Sequence, residues 1–218
     1  MKITARFLSL LRTSGLVIAL LPVCFGCSEA PERKEAPRTE KDPTIKNPAV
    51  NNETPDKAAE KGEWAVNEYF GLRFETPTPI VKKPVDMPAG MELYARSVNA
   101  YTYSDREIAI NFTAIEMIGD QYDTKGGLGG AAGNLVKHME GTMKSLDFGK
   151  VPGEQNTHTC YGTFAYEDTR AELRGYSTFD KETRTALVMI GVGPADNRET
   201  TERINRVLQS IDKTSTAE

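Results

Sequence analysis

The chain has 218 residues, 27% of them charged and 39% hydrophobic, with a net charge of −4. Its first 26 residues hold Lys2, Arg6 and Arg12 and no acid; without those three the 27 bases fall to 24 against 31 acids, a net charge of −7. So acidic a chain lacks the clustered Lys and Arg that displace counterions, which sets nucleic acid aside as a partner, while its length allows one ordinary domain with extensions.

Residues 1–26 divide into a basic start, an apolar run from Gly15 to Phe25 and a small residue, Gly26. That is the layout of a secretory signal peptide, with an apolar stretch shorter than the roughly 20 residues that span a bilayer. Gly26-Cys27-Ser28 resembles the lipobox of bacterial lipoproteins, where a small residue precedes a cysteine whose thiol takes a diacylglyceryl group and whose amine becomes the new terminus. A soft nucleophile is needed there, hence a thiolate. The resemblance implies lipidation of Cys27 with palmitate-type chains, and a lipid-anchored domain on the outside of the cell membrane or on the outer membrane. A second register, Leu21-Pro22-Val23-Cys24, puts the acyl group on Cys24 instead, and ordinary secretion or an uncleaved anchor remain open. Each buried CH₂ contributes about 0.8 kcal/mol, so several chains on one terminus suffice for stable anchoring.

From Ser28 to Gly62 there is no aromatic residue, Ile45 and Val50 are the only larger aliphatics, and prolines recur at 31, 37, 43, 48 and 55. Such a stretch cannot bury enough apolar surface to offset chain entropy, so residues 27–62 are expected to be a lipidated cysteine followed by a disordered charged tether. As a flexible coil it would span roughly 30 to 35 Å. A globular domain is expected over 63–212 and a disordered tail over 213–218. With the leader removed, Cys160 alone remains in that domain, which excludes a disulfide framework.

Within the domain, "YFGLRFETPTPI" alternates Leu72, Phe74 and Thr76 against Arg73 and Glu75 and breaks at Pro77 and Pro79, predicting a strand. "ELYARSVNAYTYS" and "REIAINFTAIEMI" predict a hairpin joined at Ser104-Asp105, with Ile108, Ile110, Phe112 and Ala114 on one face and a bulge or two-sided burial near Ala114. After a Gly-rich stretch, Ala132, Leu135, Val136, Met139, Met143 and Leu146 recur at helical spacing, predicting a helix that ends near Asp147. "CYGTFAYED", "AELRGYSTF" and "RTALVMIGV" predict an antiparallel meander whose last strand, Ala186 to Ile190, is apolar enough to be covered on both faces. Ile204, Val207, Leu208 and Ile211 mark a closing helix, with Asp196 and Glu199 at capping-box spacing. This order gives an α+β domain, an antiparallel β-sheet flanked by helices.

"YFGLRFETPTP" at the start and "INRVLQSI" at the end resemble the opening strand and closing helix of the PsbP and Mog family, including envelope lipoproteins of the DcrB type, over about two thirds of the chain. The resemblance implies an α/β/α sandwich, a role in binding or assembling another protein, and no conserved chemistry. The Gly-rich stretch departs from the family.

Candidate chemistry is sparse. "GGLGGAAGN" places Gly127, Gly129 and Ala132 at the spacing of a dinucleotide loop, but the leading strand and the parallel βαβ context are missing; the stretch from Gly126 to Gly133 then reads as a mobile loop or helix entry, with an anion site as the alternative. His158, Cys160 and His138 could be metal donors, or Cys160 and a histidine a nucleophile and base, but neither set has the required company; a buried Cys160 and an edge His138 are the plainer reading. Tyr94, Tyr101, Tyr103, Tyr161, Tyr166 and Tyr176 fall on predicted strands; four of them, Tyr94, Tyr101, Tyr103 and Tyr176, are the candidate partner surface, with Arg96, Arg170, Arg174 and Arg184 as a rim. The expectation is a non-enzymatic, membrane-tethered envelope lipoprotein with a protein partner, no catalytic residue, no metal and no cofactor. The alternative is a small-ligand-binding protein or enzyme that uses the Gly126–Gly133 loop.

Overall fold

The computed structural model describes residues 64–87 and 90–213. The leader, Cys24, Cys27, the tether and residues 214–218 lie outside the described residues.

The described chain begins with a hairpin, β1 (Ala65–Tyr69) and β2 (Leu72–Thr76), turned by Phe70 and Gly71 at φ 52° and 74°. Positive φ at both central residues makes the right-handed strand twist continuous through a two-residue turn. Asn67 fixes the exit from this hairpin. Buried, it donates from Nδ2 to Thr76 Oγ1 at 2.7 Å and accepts at Oδ1 from the Ile80 amide at 3.1 Å, so the chain leaving Pro77 and Pro79 is held against β1 and β2. A short strand, β3 (Val81–Lys83), then leads through a 3₁₀ turn at Met91–Leu93 to the long hairpin β4 (Ala95–Ser104) and β5 (Ala109–Met117). β5 is buried on both faces, as its apolar run requires, and its pairing with β9 is unbroken; the register shift lies in β4, between Ala95 and Ser97.

The Gly-rich stretch is not a loop. It forms most of α1 (Thr124–His138), whose Leu128, Ala131, Ala132, Leu135 and Val136 are buried. Isolated, each glycine would cost about 1 kcal/mol against alanine in a helix, so tertiary packing carries this one. The helix also ends earlier than its apolar spacing predicts. Glu140 takes a left-handed conformation (φ 54°), Gly141 N–H donates back to Val136 O at 2.8 Å and Glu140 N–H to Lys137 O at 2.9 Å, a Schellman stop. Met143 and Leu146 therefore belong to an edge strand, β6 (Thr142–Lys150).

The meander is present as β7 (Thr157–Tyr166), β8 (Thr169–Asp180) and β9 (Thr185–Pro194), followed by α2 (Arg198–Gln209) and β10 (Asp212–Lys213). The cap of α2 is Asn197, whose side chain accepts from the Glu199 and Thr200 amides, and not Asp196. Lys213, expected in the tail, pairs with Leu72.

All strand pairs are antiparallel. One sheet runs β3-β4-β5-β9-β8-β7-β6 and a small one β1-β2-β10. On β9, Ala186, Val188, Ile190 and Val192 pack with α1, while Leu187 and Met189 pack with Ile204 and Val207 of α2, so the helices cover opposite faces. The small sheet shares the α2 side, with Phe74 against Phe112 and Tyr69 against Tyr101 (ring centroids 5.3 and 4.5 Å). The domain is an α+β sandwich. Its layers are unequal: α2 and the small sheet lie over β4, β5 and β9, and no described element covers β6 and β7 on that side.

Candidate functional site

That bare quarter of the sheet forms a groove. Strand registers set side chains of the α2 face in cross-strand rows: Gly191–Arg174–Tyr161–Asp147 from β9 to β6, flanked by Gly193–Glu172–Thr163–Ser145 and Met189–Tyr176–Thr159–Gly149. The inner end of each row lies beneath α2 or in the core packed with it. The outer end is open. Asp147, Thr159, Tyr161 and Arg174 line a hollow of about 370 Å³ that Asn205 and Leu208 of α2 wall on one side. A second hollow of about 400 Å³ is lined by α2 residues from Glu202 to Gln209 and by Ser210, which caps the helix, and is a depression in the helix surface.

The middle row supplies the chemistry. The Arg174 guanidinium lies over the Tyr161 ring, Cζ 4.8 Å from the centroid, and Tyr161 is 39% exposed. Such stacking is worth roughly 0.5 to 2 kcal/mol and holds both groups in place. Glu172, 3% exposed, accepts from Thr201 Oγ1 at 2.7 Å and faces Arg174 Nη2 at 3.5 Å. Arg174 Nε is buried and has no hydrogen-bond partner, leaving an acceptor to be supplied at the groove floor. Asp147 is exposed and forms no ion pair among the described residues. The arrangement can hold a polar segment by stacking, by a donor at the floor and by a free carboxylate at the rim. It contains no activated nucleophile.

The residues singled out in the sequence are dispersed. Tyr101, Tyr103 and Tyr176 are 8%, 7% and 8% exposed, because they fill the core beneath the small sheet and α2; of the four tyrosines expected to form a partner surface, Tyr94 alone is exposed, and no such surface assembles. Tyr103 bonds Asp105, which also accepts from the Glu107 and Ile108 amides at 2.7 and 2.9 Å and pairs with Arg203. Burial pushes the Asp105 carboxyl up, but these bonds outweigh it and hold the group below the ordinary carboxylate value. Arg96 pairs with Glu116 at 3.4 Å and Arg184 donates to Ile118 O at 3.2 Å, both far along the sheet from Arg174, so these two share no rim with it, whereas Arg170 stands exposed on the same strand as Arg174.

Cys160 is buried, and desolvation raises its thiol to about 12 despite a backbone hydrogen bond with Gly175, so it carries no thiolate at neutral pH. His158 shares a 2.7 Å hydrogen bond with Thr124 at the start of α1, whereas His138 is exposed at the end of that helix, about 20 Å away. Among the described residues no three His, Cys, Asp or Glu approach closely enough to hold a metal. Nor do Gly126 to Gly133 offer a phosphate cradle: a Cβ on Gly127 would run into the Tyr122 hydroxyl, and one on Gly129 would lie 3.2 Å from Phe148. Sequence reasoning named Tyr161 and Arg174 without joining them, and missed Glu172, Asp147 and Asn205. One signal was available. Glu172, Arg174 and Tyr176 alternate on one face of a strand whose other face is apolar.

No family model matches the chain, and neither does any curated protein. Among solved structures it is similar to a point mutant of the protein Mog1 and to the Ran-binding protein Mog1p of Saccharomyces cerevisiae, each at 11% identity and a TM-score of 0.43, over 71% of this chain and 98% and 97% of those chains. A protein of unknown function from Pseudomonas aeruginosa, PA94, is similar at 11% identity and a TM-score of 0.28, over 72% of this chain and 99% of that one. The Mog resemblance read from the opening strand and closing helix thus has structural counterparts of low similarity, and at these scores the likeness says nothing of what this chain binds.

Proposed function

We propose that this protein is a non-enzymatic envelope lipoprotein, anchored through acyl chains on Cys27, whose domain binds another envelope protein through the groove beside α2. Residues 27–62 act as the tether and 63–213 as the binding domain. The observation that carries the reading is the stacked Tyr161–Arg174 pair at the centre of an open, polar groove. Tyr and Arg are enriched among the residues that dominate interface energetics: Tyr gives large contact area at low entropic cost, and Arg adds a planar donor that here is already held by stacking. The apolar run from Gly15 to Phe25, followed by Gly26-Cys27, supports export and anchoring.

The test has two arms. Cells fed an alkyne-tagged palmitate should label the wild-type chain and not Cys27→Ala; label retained there and lost in Cys24→Ala would move the anchor to the second register. Affinity capture from the membrane fraction should recover a reproducible protein with the wild-type chain and lose it with Tyr161→Ala. Capture unaffected by Tyr161→Ala would remove the groove as the binding site.

A further inference from the structure

β6 ends the large sheet, and its outer edge is unpaired among the described residues. Val151 N–H donates to Thr157 O at 3.5 Å in the same register that pairs Lys150 with His158 and Phe148 with Cys160. Antiparallel ladders alternate, so the amides of Leu146, Phe148 and Lys150 face away from β7, toward the open edge. An added strand would find donors and acceptors there, and its side chains would extend the rows already described.

Those rows specify the occupant. On the α2 face the Arg174–Tyr161–Asp147 row ends in an exposed carboxylate with no cation opposite it among the described residues. On the α1 face, Phe148 is 36% exposed with Lys125 5.3 Å from its ring centroid, and Lys150 stands exposed beside it. We infer that the partner is received as an extended segment added to β6, with a Lys or Arg opposite Asp147, an apolar residue opposite Phe148 and an Asp or Glu opposite Lys150. Opposite charges and apolar pairs directly across strands are favourable, like charges unfavourable. A second copy of this chain supplies no cation opposite Asp147: the symmetrical antiparallel register centred on Asp147 opposes that residue to itself and Lys144 to Lys150, and the one centred on Phe148 sets it against Gly149. The register shift at Met143/Ser145 and the edge lysines further discourage indiscriminate pairing. The groove then takes the flank of the basic side chain.

This inference rests on the protein-binding reading and can fail without it. Full-length protein in detergent is panned against a displayed library of random linear peptides, and the strongest binder is synthesised. Expected are peptides pairing a basic with an adjacent apolar residue and an acid two positions beyond, slowed hydrogen exchange at Leu146, Phe148 and Lys150, about tenfold weaker binding to Asp147→Lys, and recovery when the peptide's basic residue becomes Glu. Peptide binding that slows exchange elsewhere, or is indifferent to Asp147→Lys, overturns strand addition. So does an absence of enriched peptides, or soluble peptidoglycan fragments binding at Tyr161 with the β6 amides unaffected. Where capture in cells still depends on Tyr161 in those cases, the protein-binding reading stands; where it does not, both fall.

Discussion

The two faces of β9 bring a helix close to the sheet by opposite means. On one face the small residues lie mainly in the helix: α1 lays Ala131 and Ala132 among Val188, Ile190, Leu173 and Phe164, while its Leu128 is received at Gly175 of the sheet. On the other the helix is large and the sheet small: α2 sets Ile204 and Thr200 over Gly191 and Gly193. Close packing needs a small residue wherever a large one approaches, and which partner carries most of them decides how a sequence looks. α2 keeps a clear apolar stripe against charged neighbours, whereas α1 hides its helical character in residues that also make loops.

The largest expected effect tests the few bulky side chains that hold α1. Leu135→Ala, at a fully buried site, should cost about 2 to 5 kcal/mol by denaturant titration. On the other face, a Cβ at Gly193 would strike Thr200 Cγ2 and lie 2.7 Å from the Glu107 carbonyl oxygen, so Gly193→Ala should cost about 1 to 3 kcal/mol. A loss within experimental error would mean that α2 floats rather than packs.

Next comes the junction that ties α2 to the β4–β5 loop. The Asp105 carboxyl sits below its ordinary value, so the folded chain holds the charged form more firmly than the unfolded chain does. The stability this confers is present above the unfolded carboxylate value, near pH 4, and is lost as pH falls through the lower folded value. Melting temperature measured from pH 6 to pH 2 should decline less steeply in Asp105→Asn than in the wild type, with the variant the less stable at neutral pH. The smallest effect has the opposite sign. A Cβ on Gly133 meets nothing within 4 Å, so Gly133→Ala should stabilise by about 0.5 to 1 kcal/mol.

The same contrast explains what was legible in the sequence. The hairpin of β4 and β5, the meander and α2 were readable because period-2 and period-3.6 patterns coincide there with turn residues. Helix α1 was half readable. Its end was misplaced because Met139, Met143 and Leu146 continue the helical spacing and the left-handed stop residue is Glu140, where a glycine would have announced it. β1, β3 and β10 were missed: each is short, and β1 turns its one buried position inward as Asn67. The groove was illegible for a different reason. It exists because two covering elements fall short of the sheet's width, and no local pattern records what an element leaves uncovered.

A partner seated on the bare quarter of the sheet would lie within reach of Tyr161 and far from Tyr94, which is exposed on the other side of the domain. A photo-crosslinking amino acid at position 161 of the full-length, membrane-anchored chain tests this, with position 94 as the comparison. A protein adduct is expected from position 161, none from 94, and the adduct should be lost when Cys27→Ala releases the anchor. Adducts from position 94 alone, or from 161 irrespective of the anchor, would contradict a tethered domain that binds through this groove.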